Sequence, residues 1–558
     1  MPHNLNKIRA NNKVILIGLD GATFDLLLPW AEEGLLPNLK KILKMGVYGE
    51  LESTIPPYTP SAWTSMITGK NPGKHGIFHF LIRSEGFSHE VYINNTLIKG
   101  KKIWNILSDE DKKVGIINFP ISYPTEKVNG FMISGFLTPK GAKDITYPRE
   151  LSERISDHIG DYIIYVPLPI SNNLTEEESI NLTKRINHQI QRRRELLYYL
   201  MDNYESDFLM AVFTGLDQIQ HKFWKYLDKE ERSFYNSREG EKIRPLLMEG
   251  YYSIDNMLGD VIRHIDDKTS IFIISDHGFG SQRKEFYLNR WFYDMGLLRY
   301  DKKRLLLSKI VHKSKVVHKK INILRRSGFP ELWGGVIPDS PGDGYIDWSK
   351  TKAYCGHPSE QAIYINLKGR DKKGVVTPGS EYEELIGFIK EGLIEIIDNE
   401  TGKRIIDKVY KREDIYSGPY VRYAPDLFVI PKDYNCPISP FISLRKRAYL
   451  SKISSPVGYH RRNGVFIAIG RDIKRGKIIF NTSIFDITPT ILYLMGIPIP
   501  DDMDGKVVTD IFEDDLLATN QIRYAGAGSD DSNDSFKNIY TEGEKDEIRD
   551  SLKGLGYL

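Results

Sequence analysis

Short apolar runs recur along this chain, and each of them ends in residues that are typical of turns. The runs are four to six residues long and are rich in β-branched side chains. They lie at 14–17, 114–117, 208–213, 271–274, 427–430 and 465–469. Runs that are apolar nearly throughout are typical of strands buried on both faces, whereas half-exposed antiparallel strands alternate polar and apolar residues.

Helical patterns separate these runs, for example at 35–45 and 483–495. Strands that alternate with helices predict an α/β fold with a mostly parallel central sheet flanked by helices. A set of antiparallel strands is the alternative, and the absence of polar alternation disfavours it.

Two regions interrupt the alternation of strands and helices. Residues 145–205 are rich in charged residues and helix formers, and residues 296–345 carry a basic block followed by a Gly/Pro-rich stretch. We interpret both as insertions able to form a helical cap or lid. The predicted organisation is a core in three parts at 1–144, 206–295 and 346–518, insertions at 145–205 and 296–345, and at 519–558 a polar tail with a short helix at 542–555.

Composition narrows the class of protein. The 558 residues include 77 Lys and Arg against 74 Asp and Glu, so the net charge of +3 gives no case for a nucleic-acid-binding module. Cys355 and Cys436 are the only cysteines, which excludes a disulfide-rich scaffold and a cysteine-based zinc module. Since no run of about 18 apolar residues and no secretory signal are apparent, we expect a cytoplasmic protein.

Three carboxylates follow three of the predicted strands. Asp20, Asp217 and Asp276 each lie shortly after a buried run. Ligands of open α/β sheets bind beyond the carboxyl ends of the strands, so we expect these side chains to meet at one edge. Each Asp taken alone could instead be a turn former or a helix cap.

Histidines accompany these carboxylates. His221 lies four residues after Asp217 and shares its helical face, His277 directly follows Asp276, and His460 precedes the run at 465–469. A set of Asp and His without thiolates suits zinc, with manganese or iron as alternatives.

A hydroxyl at a predicted helix start is the candidate nucleophile. Thr59 and Pro60 predict an N-cap and first helical residue, and the helix would end near Gly69. A hydroxyl there lies at the positive end of the helix dipole, where phosphate binds and an alkoxide is favoured. Thr54 and Thr64 are the alternative hydroxyls, and a plain helix cap is the alternative role of Thr59.

These motifs together resemble the alkaline phosphatase superfamily and, within it, the type I phosphodiesterase/nucleotide pyrophosphatase group. They occur in the family's order, and the resemblance covers roughly residues 13–120, 206–290 and 345–510. The motifs are GLDGAT at 18–23, TPSAWTSMITGKNPGKHGI at 59–77, GLDQIQH at 215–221, SDHG at 275–278, GYHRRNGVFIAIG at 458–470 and DITPTILYLMGIP at 486–498.

The resemblance implies an alkaline-phosphatase-like fold and a hydrolase of phosphoric esters with two divalent metal ions, zinc first and manganese second. The implied ligands are Asp217, His221 and His460 for one metal, and Asp20, Asp276, His277 and Thr59 for the other. Thr59 would attack phosphorus and form a phospho-threonine, which water then releases. Phosphodiesters or pyrophosphates are the expected substrates. A phosphomonoesterase or phosphomutase of the superfamily is the first alternative, and a non-catalytic membrane-surface protein is the second.

One position departs from the family's pattern. Characterised nucleotide pyrophosphatases carry an asparagine that contacts a phosphate oxygen, and the corresponding residue here is Phe80. The substrate-binding candidates are therefore Lys74, His75, His79 and Phe80.

The segment 302–326 predicts a basic amphipathic helix. It contains ten Lys or Arg and no Asp or Glu. This charge predicts peripheral contact with an anionic membrane or a lid over an anionic, lipid-linked substrate, and the alternative is a helix packed on the core with a solvated basic face. The expected partner is a phosphate-ester small molecule or a lipid-linked substrate.

Overall fold

The computed structural model describes residues 12–83, 90–301, 346–357, 360–440, 449–526 and 538–558. The segment 302–326 lies outside the described residues, so its contact with a membrane or substrate stays a prediction. Among the described residues, no helix combines the length and the apolar character needed to cross a membrane.

The strands are β1 (Lys13–Leu19), β2 (Val47–Glu52), β3 (Leu81–Arg83), β4 (Glu90–Tyr92), β5 (Val114–Phe119), β6 (Gly130–Ser134), β7 (Thr146–Tyr147), β8 (Phe208–Phe213), β9 (Thr269–Ile274), β10 (Gly278–Tyr287), β11 (Ala353–Tyr354), β12 (Ala362–Ile365), β13 (Ile406–Lys411), β14 (Leu427–Pro431), β15 (Ile438–Ser439), β16 (Leu450–Arg461), β17 (Asn463–Ile469), β18 (Lys477–Ile478), β19 (Thr482–Ser483), β20 (Ile499–Pro500) and β21 (Tyr524–Ala525).

The helices are α1 (Phe24–Glu32), α2 (Pro37–Met45), α3 (Thr59–Thr68), α4 (Pro72–His75), α5 (Ile103–Asp109), α6 (Leu151–Ile159), α7 (Glu176–Asn203), α8 (Gly215–Leu227), α9 (Arg232–Tyr235), α10 (Arg238–His264), α11 (Leu288–Asp294), α12 (Ser380–Ile394), α13 (Arg412–Ile415), α14 (Ile487–Leu494), α15 (Asp514–Thr519) and α16 (Glu542–Leu555).

A large central sheet organises the chain. Its strand order is β18-β2-β17-β9-β1-β8-β5-β6-β7, with β19 beside β2. The five strands from β9 to β6 are mutually parallel, whereas β17 is antiparallel to both of its neighbours. Every residue of β5, β8 and β9 is buried, as expected for strands covered on both faces. The predicted α/β fold with a mostly parallel sheet is confirmed.

A second, smaller sheet contains the apolar run at 427–430. This run forms β14, which pairs antiparallel with β12 and β13 in the order β11-β12-β14-β13. Leu427, Phe428 and Val429 belong to a separate hydrophobic cluster that includes residues of helix α12. The run is therefore not part of the central parallel sheet, because four apolar residues specify a buried strand without specifying its partner. The predicted domain boundaries stay predictions.

Helix α7 lies in the predicted insertion at 145–205 and contacts the carboxyl end of strand β8. Its Arg193 is 1% exposed and donates hydrogen bonds to the carbonyl of Val212 and the hydroxyl of Thr214. Val212 is the penultimate residue of β8, and Thr214 is the N-cap of α8. The buried guanidinium therefore fixes the turn from which α8 begins.

Candidate metal centre

Three neighbouring parallel strands bring the three predicted carboxylates to one edge of the sheet. Asp20 follows β1, Asp276 follows β9, and Asp217 lies in the first turn of α8 after β8. All three side chains are buried, and Asp276 is 0% exposed. The sheet order β9-β1-β8 explains why residues far apart in the sequence meet here.

The three histidines reach the same place from different elements. His221 lies one turn after Asp217 on α8, and His277 lies between β9 and β10. His460 lies on β16, where it pairs with Phe279 of β10. All three imidazoles are buried.

One group of ligand atoms consists of Asp217, His221 and His460. The Oδ1 atom of Asp217 is 3.3 Å from Nε2 of His221 and 3.5 Å from Nε2 of His460. The two Nε2 atoms are 3.1 Å apart. Tetrahedral zinc with bonds of about 2.0–2.1 Å places its ligand atoms about 3.3 Å from one another, so these three atoms fit one ion.

A second group surrounds Nε2 of His277. This atom is 3.2 Å from Oδ2 of Asp276, 3.7 Å from Oδ1 of Asp20 and 3.2 Å from Oγ1 of Thr59. The spacing again suits a single ion, with the Thr59 hydroxyl among its neighbours. The structure thus brings together all seven residues that the resemblance assigns to metals.

The protonation of two imidazoles is set by the backbone. Nδ1 of His277 lies 3.1 Å from the Gly278 carbonyl, and Nδ1 of His460 lies 3.0 Å from the Pro57 carbonyl. A carbonyl accepts, so Nδ1 carries the proton in each neutral ring. Each Nε2 then offers its lone pair toward the ligand groups, which is the tautomer that metal binding requires.

The carboxylates have unsatisfied oxygens that face these nitrogens. Oδ1 of Asp20, Oδ1 of Asp217 and Oδ2 of Asp276 are buried and have no hydrogen-bond partner within the described residues. Nor does any described Lys or Arg form an ion pair with these carboxylates. Buried anions of this kind need compensating charge, which divalent cations would supply.

The pKa values of Asp20 and Asp276 also reflect the lack of positive charge near these carboxylates. Burial and the charge of neighbouring carboxylates raise the pKa of Asp20 and of Asp276 well above the usual value. Burial also opposes ionisation of Asp217, yet the adjacent imidazole of His221 holds its pKa below the usual value. The donor set therefore fits divalent metal ions.

Thr59 lies at the start of α3, one position further in than the sequence predicts. Tyr58 is the N-cap, and Thr59 and Pro60 are the first two helical residues. The prediction that Thr59 caps the helix is wrong, because Tyr58 occupies the N-cap and Thr59 is already the first helical residue. Its hydroxyl instead lies among the second group of ligand atoms. The predicted helix end at Gly69, with φ 66°, is confirmed.

The alternative hydroxyls lie elsewhere in the structure. The Thr54 hydroxyl donates to the Pro56 carbonyl at 2.7 Å and contacts the Ser61 hydroxyl at 3.1 Å. Thr64 is fully buried inside α3. One turn after Thr59, the Trp63 indole donates to Oδ2 of Asp20 and ties the helix to the end of β1.

Two of the four substrate-binding candidates make contacts away from the ligand groups. Lys74 pairs with Asp504 at 2.6 Å. The Nδ1 atom of His75 accepts from the Ile77 amide, so its Nε2 donates to the Ser65 hydroxyl at 2.9 Å.

The other two candidates lie in an aromatic group beside Thr59. The ring of His79 is 5.3 Å from that of Tyr58, and neither of its nitrogens has a hydrogen-bond partner among the described residues. Phe80 is fully buried, and its ring lies 4.6 Å from that of Tyr557.

Tyr557 is a residue of the site that sequence reasoning missed. Its hydroxyl lies 3.3 Å from Oγ1 of Thr59 and 3.3 Å from Nε2 of His460. The only local signal was a Gly-Tyr pair after the predicted helix at 542–555, a common way to end a helix.

Acid is expected to destabilise the protein through its buried neutral histidines. Burial lowers the pKa of His79 from 6.5 to about 4. Between these two values the unfolded chain binds a proton that the folded chain does not, so stability falls as the pH falls through this range. The penalty is about 2 kcal/mol between pH 7 and 5. Calorimetric Tm values of His79→Gln should therefore fall less over this range than those of the wild type.

The exposed His188 provides the matched control for this measurement. His188→Gln should keep the wild-type dependence of Tm on pH. Equal slopes for His79→Gln and the wild type would contradict a neutral, buried His79.

Comparison with known families gives one clear match. A family model described as type I phosphodiesterase / nucleotide pyrophosphatase matches residues 14–436, which is well over half of the chain. This range includes six of the seven ligand-group residues, and His460 lies beyond it. A comparison with curated proteins finds no match.

Several solved structures are similar to this chain at low identity. Phosphonoacetate hydrolase from Sinorhizobium meliloti 1021, in complex with phosphonoacetate, is 14% identical with a TM-score of 0.50, covering 87% of this chain and 95% of that one. Human ectonucleotide pyrophosphatase / phosphodiesterase 5 is 14% identical with a TM-score of 0.46, covering 90% and 100%. Wild-type alkaline phosphatase PafA is 14% identical with a TM-score of 0.49, covering 90% and 99%.

Proposed function

Because the chain belongs to the type I phosphodiesterase / nucleotide pyrophosphatase family, we propose that it hydrolyses phosphodiesters or pyrophosphates at a two-metal site with Thr59 as the nucleophile. Membership in this family supports the coarser statement of a phosphoester hydrolase of the phosphodiesterase/phosphatase kind. The proposal adds the nucleophile, the number of metal ions and the substrate class.

One observation carries the proposal. Buried ligand atoms of Asp217, His277 and His460, and of Asp20, Asp276 and His277, lie within 4.8 Å of one another in each set, and each set contains at least one carboxylate oxygen that has no hydrogen-bond partner among the described residues. The Thr59 hydroxyl belongs to the second group, 3.2 Å from Nε2 of His277. A metal ion held by the second group would therefore lie next to the Thr59 hydroxyl and would activate it.

Zinc is the proposed metal because the ligands are imidazoles and carboxylates, and manganese is the alternative. Such ions lower the pKa of a bound hydroxyl and neutralise charge on phosphoryl oxygens. Asp217, His221 and His460 would hold one ion, and Asp20, Asp276 and His277 would hold the other together with Thr59.

Thr59 would carry the phosphoryl group through the reaction. Its deprotonated oxygen attacks phosphorus, the bond from phosphorus to the leaving oxygen breaks, and the alcohol departs with a proton. Water then attacks the phospho-threonine, which restores the Thr59 hydroxyl and releases the phosphate product. Since Thr59 is only 6% exposed, little bulk water competes during the first step.

Phosphodiesters are the proposed substrates rather than monoesters. Among the described residues, the side chains within hydrogen-bond distance of Oγ1 of Thr59 are those of His277 and Tyr557, and neither carries a fixed positive charge. A monoester has one more negative charge to neutralise than a diester. The zinc-loaded protein should therefore cleave bis-p-nitrophenyl phosphate with a kcat/KM at least about 10-fold above that for p-nitrophenyl phosphate.

Thr59→Ala, measured on both compounds, gives the background rate for this comparison. A clear preference for the monoester would favour the phosphomonoesterase alternative. Cleavage of neither compound above the background would count against hydrolysis of such esters altogether.

A further inference from the structure

The turn after helix α16 points Tyr557 into the protein. Gly556 has a φ of 84°, which residues with a side chain rarely adopt, and the Tyr557 amide donates to the Leu552 carbonyl at 3.0 Å. This left-handed turn reverses the chain at the end of the helix. As a result, Tyr557 is only 3% exposed.

The segment that carries Tyr557 is firmly attached to the rest of the fold. Thr541 and Glu544 form a capping box at the start of α16. The Tyr540 hydroxyl donates to the carbonyls of Ile93 and Leu137 at 3.3 Å each. Leu552 is fully buried in the main hydrophobic core. Residues 538–558 are therefore held against the rest of the fold, and this attachment fixes the position of Tyr557.

The Tyr557 hydroxyl contacts both groups of ligand atoms. It lies 3.3 Å from Oγ1 of Thr59 on one side and 3.3 Å from Nε2 of His460 on the other. A phosphoryl group attached to Thr59 places its non-bridging oxygens next to Oγ1. A phenol within hydrogen-bond distance of Oγ1 is therefore also within reach of such an oxygen.

Phe80 packs against the ring of Tyr557. Its own ring cannot donate a hydrogen bond to a phosphoryl oxygen, so another residue must supply that donor. The Phe80 ring packs at 4.6 Å against Tyr557, with an interplanar angle of 62°. Phe80 is fully buried and offers no hydrogen-bond donor. Among the described residues, His277 and Tyr557 have side chains within hydrogen-bond distance of Oγ1 of Thr59, and Tyr557 is the one without a proposed metal-ligand role.

We propose that Tyr557 is a substrate-binding residue whose hydroxyl donates a hydrogen bond to a non-bridging oxygen of the phosphoryl group. Tyr557, in the turn after α16, thereby completes the proposed site. The proposal rests on the proposed function, in which Thr59 carries that phosphoryl group. An inhibitory role, in which the phenol excludes the substrate, is the contrary outcome of the test.

Tyr557→Phe is the decisive variant because it keeps the ring and removes only the hydroxyl. In the zinc-loaded protein, kcat/KM for bis-p-nitrophenyl phosphate should fall on the order of 10- to 100-fold. The dissociation constant of inorganic phosphate, measured by titration calorimetry, should rise about 10-fold. This binding measurement does not depend on turnover.

Tyr540→Phe is the matched control, because it also removes a buried hydroxyl from the same segment. It should lower Tm, since two carbonyls lose a donor, while kcat/KM and phosphate affinity stay within about twofold of the wild type. A purely structural role of Tyr557 would give the same result for both variants.

Three outcomes separate the hypotheses. Wild-type kcat/KM and phosphate affinity in Tyr557→Phe would overturn the proposal, and so would an increase in either, which would indicate inhibition. If the wild type shows no turnover that depends on Thr59, the proposed function fails. The phosphate-binding comparison would still decide whether the Tyr557 hydroxyl binds a phosphoryl oxygen.

Discussion

Replacing Thr59 by alanine is expected to lower the rate of ester hydrolysis by about 1,000-fold or more while leaving the metal content unchanged. The variant removes the only atom that would form a bond to phosphorus. Its structural cost should be small, because the N-cap of α3 is Tyr58 rather than Thr59. Initial rates with bis-p-nitrophenyl phosphate and elemental analysis of the same preparation check both parts.

Thr64→Ala provides the matched control on the same helix. It also removes a buried threonine hydroxyl, and that hydroxyl has no hydrogen-bond partner within the described residues. Its rate should stay within a few-fold of the wild type. Substantial hydrolysis by Thr59→Ala would exclude the covalent route, and a loss of metal would show that Thr59 acts mainly as a ligand.

Removing divalent cations with a chelator is expected to abolish hydrolysis and to lower Tm. Three carboxylates are buried in one cluster, and burial already raises the pKa of Asp20 and of Asp276 in the absence of cations. An ion that binds only the folded state stabilises it by about 4 kcal/mol at 1,000 times its Kd. Adding zinc back should restore both rate and Tm at two ions per chain, which calorimetry and elemental analysis can measure.

Substitution of single carboxylates tests the two-ion count. Asp217→Asn should retain about one ion per chain, because the ligands of the second group stay intact. Asp255→Asn is the control, since Asp255 is also buried but accepts from the amides of Asn38 and Leu39 outside the cluster. It should lower Tm and keep both ions. Full metal content in Asp217→Asn would contradict the ligand assignment.

Local sequence patterns predict five of the ten strands described for the central sheet, namely β1, β5, β8, β9 and β17, and the position of its carboxylates. The run at 208–213 coincides with β8, and Asp217 follows it in the first turn of α8. The end of α3 at Gly69 and the helix α16 also match their predictions. Each of these features depends on residues within a few positions in the sequence: residues that form turns, residues that cap helices and the continuous apolar run of a buried strand.

Local patterns leave the pairing of distant elements open. The run at 427–430 was predictable as a strand, but its membership in the second sheet depends on β12 and β13 as partners. The contacts of the substrate-binding candidates likewise depend on residues that are distant in the sequence. Lys74 and His79 lie five residues apart, yet one pairs with Asp504 and the other lies unpartnered beside Tyr58.

By itself, the sequence determined the α/β architecture, the three carboxylates at the strand ends and the motifs of a phosphoester hydrolase. These features depend on residues that are close together in the sequence, such as the apolar run of a buried strand and the turn residues that follow it. Only the tertiary structure decided that Tyr557 lies beside the Thr59 hydroxyl. Its contact with Tyr557 joins residues 498 positions apart and exists because α16 docks on the main core. No periodicity or spacing encodes such a contact, since it results from the packing of the whole fold.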